Sequence, residues 1–246
     1  MKLTFLGKYL IPALIFSILI FWEPSLHADD CDEMPGPYTA SFSMSRNGKT
    51  VGSMQVVLER IGVDHFSYRM DTALKWGILP VRTHQHSSLK LKNGQVLPLN
   101  FRSNQSISLY KRSEFVDFNW QSMQAEGHKK HADYELELTP GLQDKLSHYL
   151  LLARALCAGD DTVNFDVVSG PVPKHYVYKV QNTEILETSL GVLETLHVSR
   201  GTDVDEKQTD MWHAKETRFM PVKLIYRDKK RLIRMDLLEI SFGNSE

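Results

Sequence analysis

His84 and His86 lie two residues apart in a stretch of alternating polarity. On a β-strand such positions share a face, so both imidazoles could reach one metal ion from the same side. A complete site needs more ligands, and His128, His131 or His175 could supply them only through folding. Two solvated histidines on an outer strand face explain the pair more simply, and no metal is expected. A second cluster, Asp144, Lys145, Ser147 and His148, holds the residue types of an activated nucleophile. No glycine elbow surrounds Ser147, and an acidic residue beside a helix start is favoured by the helix dipole alone. His128-Lys129-Lys130-His131 reads as a solvated loop, and Asp160-Asp161 is too short for a calcium loop. Glycine-rich phosphate loops, paired-cysteine zinc motifs and metalloprotease motifs do not occur. These residues point away from catalysis and from any cofactor. Trp76-Gly77-Ile78-Leu79-Pro80-Val81 is different, placing large apolar side chains beside Gly and Pro as in a loop. Exposed, Trp76, Ile78 and Leu79 would gate a pocket or meet a membrane or partner. Folded inward, the preferred reading, they would plug one end of a barrel.

The two cysteines bear on the compartment. Met1, Lys2 and Lys8 precede an apolar run from Tyr9 to Trp22, broken by Pro24 and Ser25. That is the three-part pattern of a secretory signal, with cleavage expected after Ala28. The run is shorter than the roughly 20 residues a membrane span wants, so no stable transmembrane anchor is expected. Ala28-Asp29-Asp30 lacks the small residue that should precede a lipidated cysteine at Cys31. The address read here is periplasmic or otherwise exported, with a soluble mature chain. In such a compartment disulfides persist. Cys31 and Cys157 are either bridged, or Cys157 is a small buried hydrophobe and Cys31 is free. Loss of Lys2, Lys8 and Glu23 makes the mature chain one unit more negative than the whole chain's −1. A near-neutral domain has no electrostatic case for nucleic acid.

Periodicity supplies the elements. Residues 1–28 read as signal, 29–37 as a flexible leader, and 38–243 as a single β-rich domain. Tyr38, Ala40, Phe42 and Met44 alternate with polar residues, Asn47-Gly48 supplies a tight turn, and Met54, Val56 and Leu58 resume the alternation. Further strands are expected around Phe66–Met70, on both sides of Asn93-Gly94, over Ile107–Trp120, and over Ala132–Leu138. Others fall over Tyr176–Val180, Val192–Val198, Phe219–Tyr226 and Ile233–Leu237. After Thr139-Pro140-Gly141 the spacing of Leu142, Leu146, Tyr149, Leu150, Ala153, Leu156 and Cys157 turns helical, and Gly159 ends it. The fold class expected is mainly β: one antiparallel, strongly curved sheet or half-open barrel with one central helix, Leu142–Cys157.

Several phrases resemble an exported bacterial family known as domain of unknown function 3108. They are Tyr38-Thr39-Ala40, Asn47-Gly48 with Val51-Gly52, Asn93-Gly94 through Pro98 to Phe101-Arg102, and Phe118-Asn119-Trp120. The rest are Pro140 to Ser147, Leu190-Gly191, and Thr209 to Ala214 followed by Pro221-Val222. They span nearly the whole mature chain. Asn119 stands where the family pattern has an aspartate, so no role resting on that carboxylate carries over. The resemblance implies an exported β-rich domain. The layout also resembles periplasmic lipoprotein carriers, an analogy of fold alone. The expected function is non-enzymatic binding of a lipid or other apolar ligand between sheet and helix, with Trp76, Ile78, Leu79, Leu146, Tyr149 and Leu150 as candidate lining. The alternatives are an envelope assembly or scaffold factor with a protein partner, and an envelope hydrolase using Ser147 and His148.

Overall fold

The computed structural model describes residues 31, 36–92, 94–202, 207–228 and 231–243. The signal segment and its cleavage point lie outside the described residues. Fourteen strands form one antiparallel sheet: β1 (Tyr38–Arg46), β2 (Lys49–Arg60), β3 (His65–Trp76), β4 (Leu79–Lys92), β5 (Gln95–Ile107), β6 (Tyr110–Asn119), β7 (Gln124–Lys129), β8 (Ala132–Glu137), β9 (Thr162–Val167), β10 (Lys174–Thr188), β11 (Gly191–Thr202), β12 (Lys207–Ala214), β13 (Pro221–Asp228) and β14 (Arg231–Phe242). Among the described residues one α-helix, α1 (Ser147–Cys157), stands between β8 and β9 in the chain.

The strand order is two meanders joined at a seam. β1 to β8 run outward in sequence on one side, β14 back to β9 on the other, and β1 pairs with β14 in the middle. β8 and β9 are the two edges, so the sheet is open and not a closed barrel. Each hairpin has a local cause. Asn47 and Gly48 both take positive φ, 51° and 74°, which the tight turn between β1 and β2 requires. β1 then buries every second residue, and Tyr38, Ala40, Phe42 and Met44 form the floor of the core. Pro221 opens β13, where its missing N–H breaks no ladder.

The helix fills the interior of the curved sheet. Leu146 just before it, with Leu150 and Ala153 within it, packs in a core drawn from β1 to β5 and from β11 to β14. Leu152 and Leu156 pack on Phe165, Val167, Tyr178, Val198 and Met211 from β9 to β12. A third cluster, with Val116, Phe118, Leu136, Leu138, Leu142 and Val168, seals the edge at β6 to β8. Spacings of three and four residues put two faces of one helix into the first two of these clusters.

The expected helix began at Leu142, and the structure begins it at Ser147. The reason is local. Gln143 lies alongside Val167 in an isolated parallel bridge, its N–H reaching Asp166 O at 2.9 Å and its carbonyl accepting from Val168 N at 2.8 Å. The chain therefore stays extended through Asp144 before it coils. Trp76–Val81 is also corrected: it is not an inward loop. Trp76 ends β3, Leu79 starts β4, and Gly77-Ile78 is a two-residue turn with Gly77 at φ 63°. His128 and Lys129 belong to β7 and not to a loop, with Lys130-His131 turning into β8. β7 escaped the period-2 reading because its buried positions are Ala125 and Gly127. Gly127 is required there: a β-carbon would stand 2.3 Å from Tyr134 Cζ, in the ring that covers it.

Cys31 and Cys157 are bonded, which decides between the two readings above. The bridge fastens the segment before β1 to the last residue of α1, across 126 positions of sequence. Closing a loop of that length stabilises a fold by roughly 2–4 kcal/mol. Reduction, or Cys157→Ser, should therefore lower the unfolding free energy by about that amount. Urea titration with and without reductant measures it, and coincident curves would show that the bond is idle.

Candidate functional site

The best-developed polar site is at the entry to α1, and it is structural. Asp144 Oδ1 accepts from Leu146 N at 2.6 Å and Ser147 N at 2.8 Å, while Ser147 Oγ accepts from Asp144 N at 3.0 Å. This is a reciprocal capping arrangement, which satisfies N–H groups that a helix start leaves open. Asp144 Oδ2 also accepts from Ser87 Oγ of β4 at 2.5 Å. Both Asp144 and Ser147 are buried. His148 donates through Nδ1 to Asp144 O at 3.0 Å, which leaves Nε2 to accept from Tyr178 OH at 2.9 Å. Both ring nitrogens are engaged, and neither meets Ser147. Burial holds His148 in its neutral form, with a pKa pushed down to about 3. The Ser147 and His148 pair thus has no hydrogen bond by which one could activate the other.

His84 and His86 do share the outer face of the sheet, as their spacing demands. His84 Nδ1 pairs with Asp71, and His86 Nε2 meets Ser67 Oγ at 3.0 Å. His128 pairs with Asp133 at 2.6 Å and His175 with Asp166 at 2.9 Å. The histidines stay apart, and among the described residues no group of three or more His, Cys, Asp or Glu could hold a metal ion.

The apolar interior holds the other candidate. A cavity of about 210 Å³ is lined by Tyr38, Ala40, Phe42, Met54, Val56, Tyr68, Met70, Tyr149, Met220, Leu224 and Met235, with Arg200, Thr209, Pro221 and Tyr226. The Tyr38 and Tyr68 hydroxyls bond to each other at 3.0 Å, so the wall carries no orphaned phenol there. Burial raises both phenol pKa values well above the ordinary range. Beyond it the long strands flare into a wider concavity of about 830 Å³, lined by Leu74, Trp76, Val81, Ile107 and Ile233, with Thr83, Gln105, Lys207, Tyr226, Asp228 and Arg231. Tyr226 lines both spaces.

The candidate lining residues divide between these regions. Tyr149 lines the cavity, and Trp76 lines the flare with Arg46 stacked 4.1 Å over its ring. Leu146 and Leu150 are buried in the same cluster as Tyr38, Ala40 and Phe42 and do not line the cavity. Ile78, 94% exposed, and Leu79 stand at a hairpin tip outside the cavity. Met220, Leu224 and Met235 were not among the candidates, although their strands were. Arg200 was missed as well. Its signal was its phase: it continues the Leu196 and Val198 positions of β11, opposite Tyr178 on β10 and Thr209 on β12.

The family described as "Protein of unknown function (DUF3108)" matches residues 38–237. No curated protein matches the chain. Among solved structures, the chain is similar to a protein from Brucella abortus described as a beta-barrel-like protein of domain of unknown function DUF1849. The TM-score is 0.58 at 10% identity, over 87% of this chain and 100% of that one. That likeness is one of fold. The chain belongs to the DUF3108 family.

The two buried histidines give the fold a pH dependence with a definite sign. Burial lowers His148 to about 3 and His213 to about 4, the latter with Nδ1 donating to Phe219 O at 2.7 Å. As pH falls below about 6.5, the unfolded chain takes up protons that these folded sites refuse. Stability present at neutral pH is lost towards pH 4, at up to about 1.4 kcal/mol per pH unit per histidine. Burial raises the Asp144 carboxyl, which acts in the opposite sense. His148→Gln should therefore flatten the acid limb relative to the parent chain, read as urea midpoints between pH 7 and pH 4.5. Parallel limbs would show that His148 is not held neutral.

Proposed function

We propose that this member of the DUF3108 family is an exported, non-enzymatic envelope protein that binds a lipid, acyl chain or other apolar ligand inside its curved sheet. The supporting observation is the apolar cavity beside Tyr149, which shares Tyr226 with the flare between the β3–β4–β5 tips and the β12–β14 wall. Met54, Met70, Met220 and Met235 around the cavity are flexible and unbranched, and can repack around a chain. Export rests on the N-terminal signal pattern and agrees with the disulfide. Among the described residues no helix is long and apolar enough to cross a membrane.

The test is extraction of protein purified from the periplasm, followed by mass spectrometry, together with titration by a fluorescent acyl probe. A co-purified lipid and saturable probe binding are expected. Ala40→Phe, which fills the cavity floor, should weaken probe binding at least tenfold, with an overpacking cost of about 1–3 kcal/mol. No lipid and no probe binding would end this reading.

A second reading, a scaffold that holds an envelope protein, is favoured by one feature. Ile78 and Leu109, 94% and 96% exposed, crown neighbouring hairpin tips that Ser108 N ties together through Pro80 O at 3.0 Å. Photocrosslinking from position 78 in cells distinguishes the two. One discrete protein adduct supports the scaffold, and lipid adducts support the carrier.

A further inference from the structure

Arg200 enters the interior on the same face as Val198, between β10 and β12. Its guanidinium lies 4.1 Å over the Tyr176 ring and 5.6 Å over the Tyr178 ring, and it donates to Thr209 Oγ1 at 3.2 Å. These partners are ring faces and a hydroxyl, and none is a carboxylate. Several other arginines of this chain pair with acids, as Arg69 does with Glu59, Arg102 with Asp117 and Arg227 with Asp210. Among the described residues Arg200, Lys174 and Lys207 have no ion-pair partner.

These three cations stand together. A second space of about 210 Å³ is lined by Lys174, His175, Tyr176, Val177, Arg200, Gly201, Lys207, Thr209 and Tyr226, with no acidic residue among the described residues. It shares Arg200, Thr209 and Tyr226 with the apolar cavity. A guanidinium is always charged and carries five donors, and leaving it half-buried without an anion is costly. An apolar pocket thus adjoins a cationic one across a single arginine.

We propose that the cavity takes an amphiphile with one acidic head group, a carboxylate or a phosphate, which Arg200 binds together with Lys174 and Lys207 while the chain enters the apolar pocket. This rests on the apolar-ligand reading and names the ligand's chemistry. Arg suits either head, because its planar fork matches two oxygens of a carboxylate or phosphate. The size of the apolar space sets how much of a chain is enclosed, and the remainder lies in the flare.

The experiment uses the delipidated mature chain and displacement of a neutral fluorescent acyl probe. The competitors are palmitate, hexadecyl phosphate, hexadecanol and inorganic phosphate. Palmitate and hexadecyl phosphate should displace the probe at concentrations about tenfold lower than hexadecanol, the scale of one charge-assisted hydrogen bond. Arg200→Met should erase the preference of acid over alcohol, and Arg200→Lys should retain part of it. If Arg200→Met does not fold, Lys207→Met, on the rim, must reduce the preference in its place. Equal displacement by acid and alcohol overturns the head-group assignment and leaves the apolar-ligand reading standing. Inorganic phosphate binding as tightly as hexadecyl phosphate assigns a free-anion site and also overturns it. No binding of the probe or any chain overturns both.

Discussion

Asp144 and Gln143 sit where the two meanders of the sheet must be held against one helix. The Asp144 carboxylate accepts a hydrogen bond from Ser87 Oγ on β4 and two more from the N–H groups of Leu146 and Ser147 at the helix start. Gln143 donates through its side chain to Val96 O on β5 and through its backbone to Asp166 O on β9. Two adjacent side chains therefore register the helix against the N-terminal meander while their backbone docks on the C-terminal one. An open antiparallel sheet of this length exposes an apolar concave face unless something enters it. The helix does so, and it stays in place because its polar start is satisfied inside the protein and its end is covalently tied to Cys31. Burying a carboxylate is tolerable only with such complete hydrogen bonding.

Much of this was written in the alternation of side chains. Tyr38 to Met44, the Asn47-Gly48 turn and the strands near Met54, Phe66 and Ile233 follow from period two, and the helix from Leu146 to Cys157 follows from period three to four. Two of the elements that stayed hidden show no alternation of large apolar with polar side chains. β12 buries both faces from Thr209 to Ala214, with Asp210 and His213 among the buried residues, so polarity gives no period. β7 has its inward face made of Ala125 and Gly127, too small to register as apolar. The extended run Leu142–Asp144 carries helical spacing by coincidence, and a bridge formed across the fold overrides it. A pairing of Cys31 with Cys157 was one of two readings, since sequence separation says nothing about proximity.

The site was less legible than the fold. Tyr149 and Trp76 could be picked out as large residues at the right elements, but a cavity is a failure of packing, and packing is a property of partners far apart in the chain. Ala40 on β1, Met70 on β3, Tyr149 on α1 and Met235 on β14 meet only because the sheet curls. Arg200 in the same wall has the phase of an inward residue and the chemistry of an outward one. Such a local conflict is where function is commonly found in an otherwise consistent sequence.

The order of the strands has a kinetic meaning. Within each meander every strand pairs with its neighbour in sequence, so both halves consist of short loop closures. The seam is the opposite: Ser41 of β1 meets Glu239 of β14, with 198 positions between them, and Gly243 N reaches Pro37 O at 2.8 Å. Contacts that close so long a loop come slowly, because the entropy of closure is lost before the contacts repay it. During synthesis from the N-terminus, β1 has to wait for β14 with its outer ladder unpaired. In that interval β1 is an adhesive strand with Tyr38, Ala40, Phe42 and Met44 along one side. Folding of this chain is thus a race between its own last strand and any other extended chain that reaches β1 first.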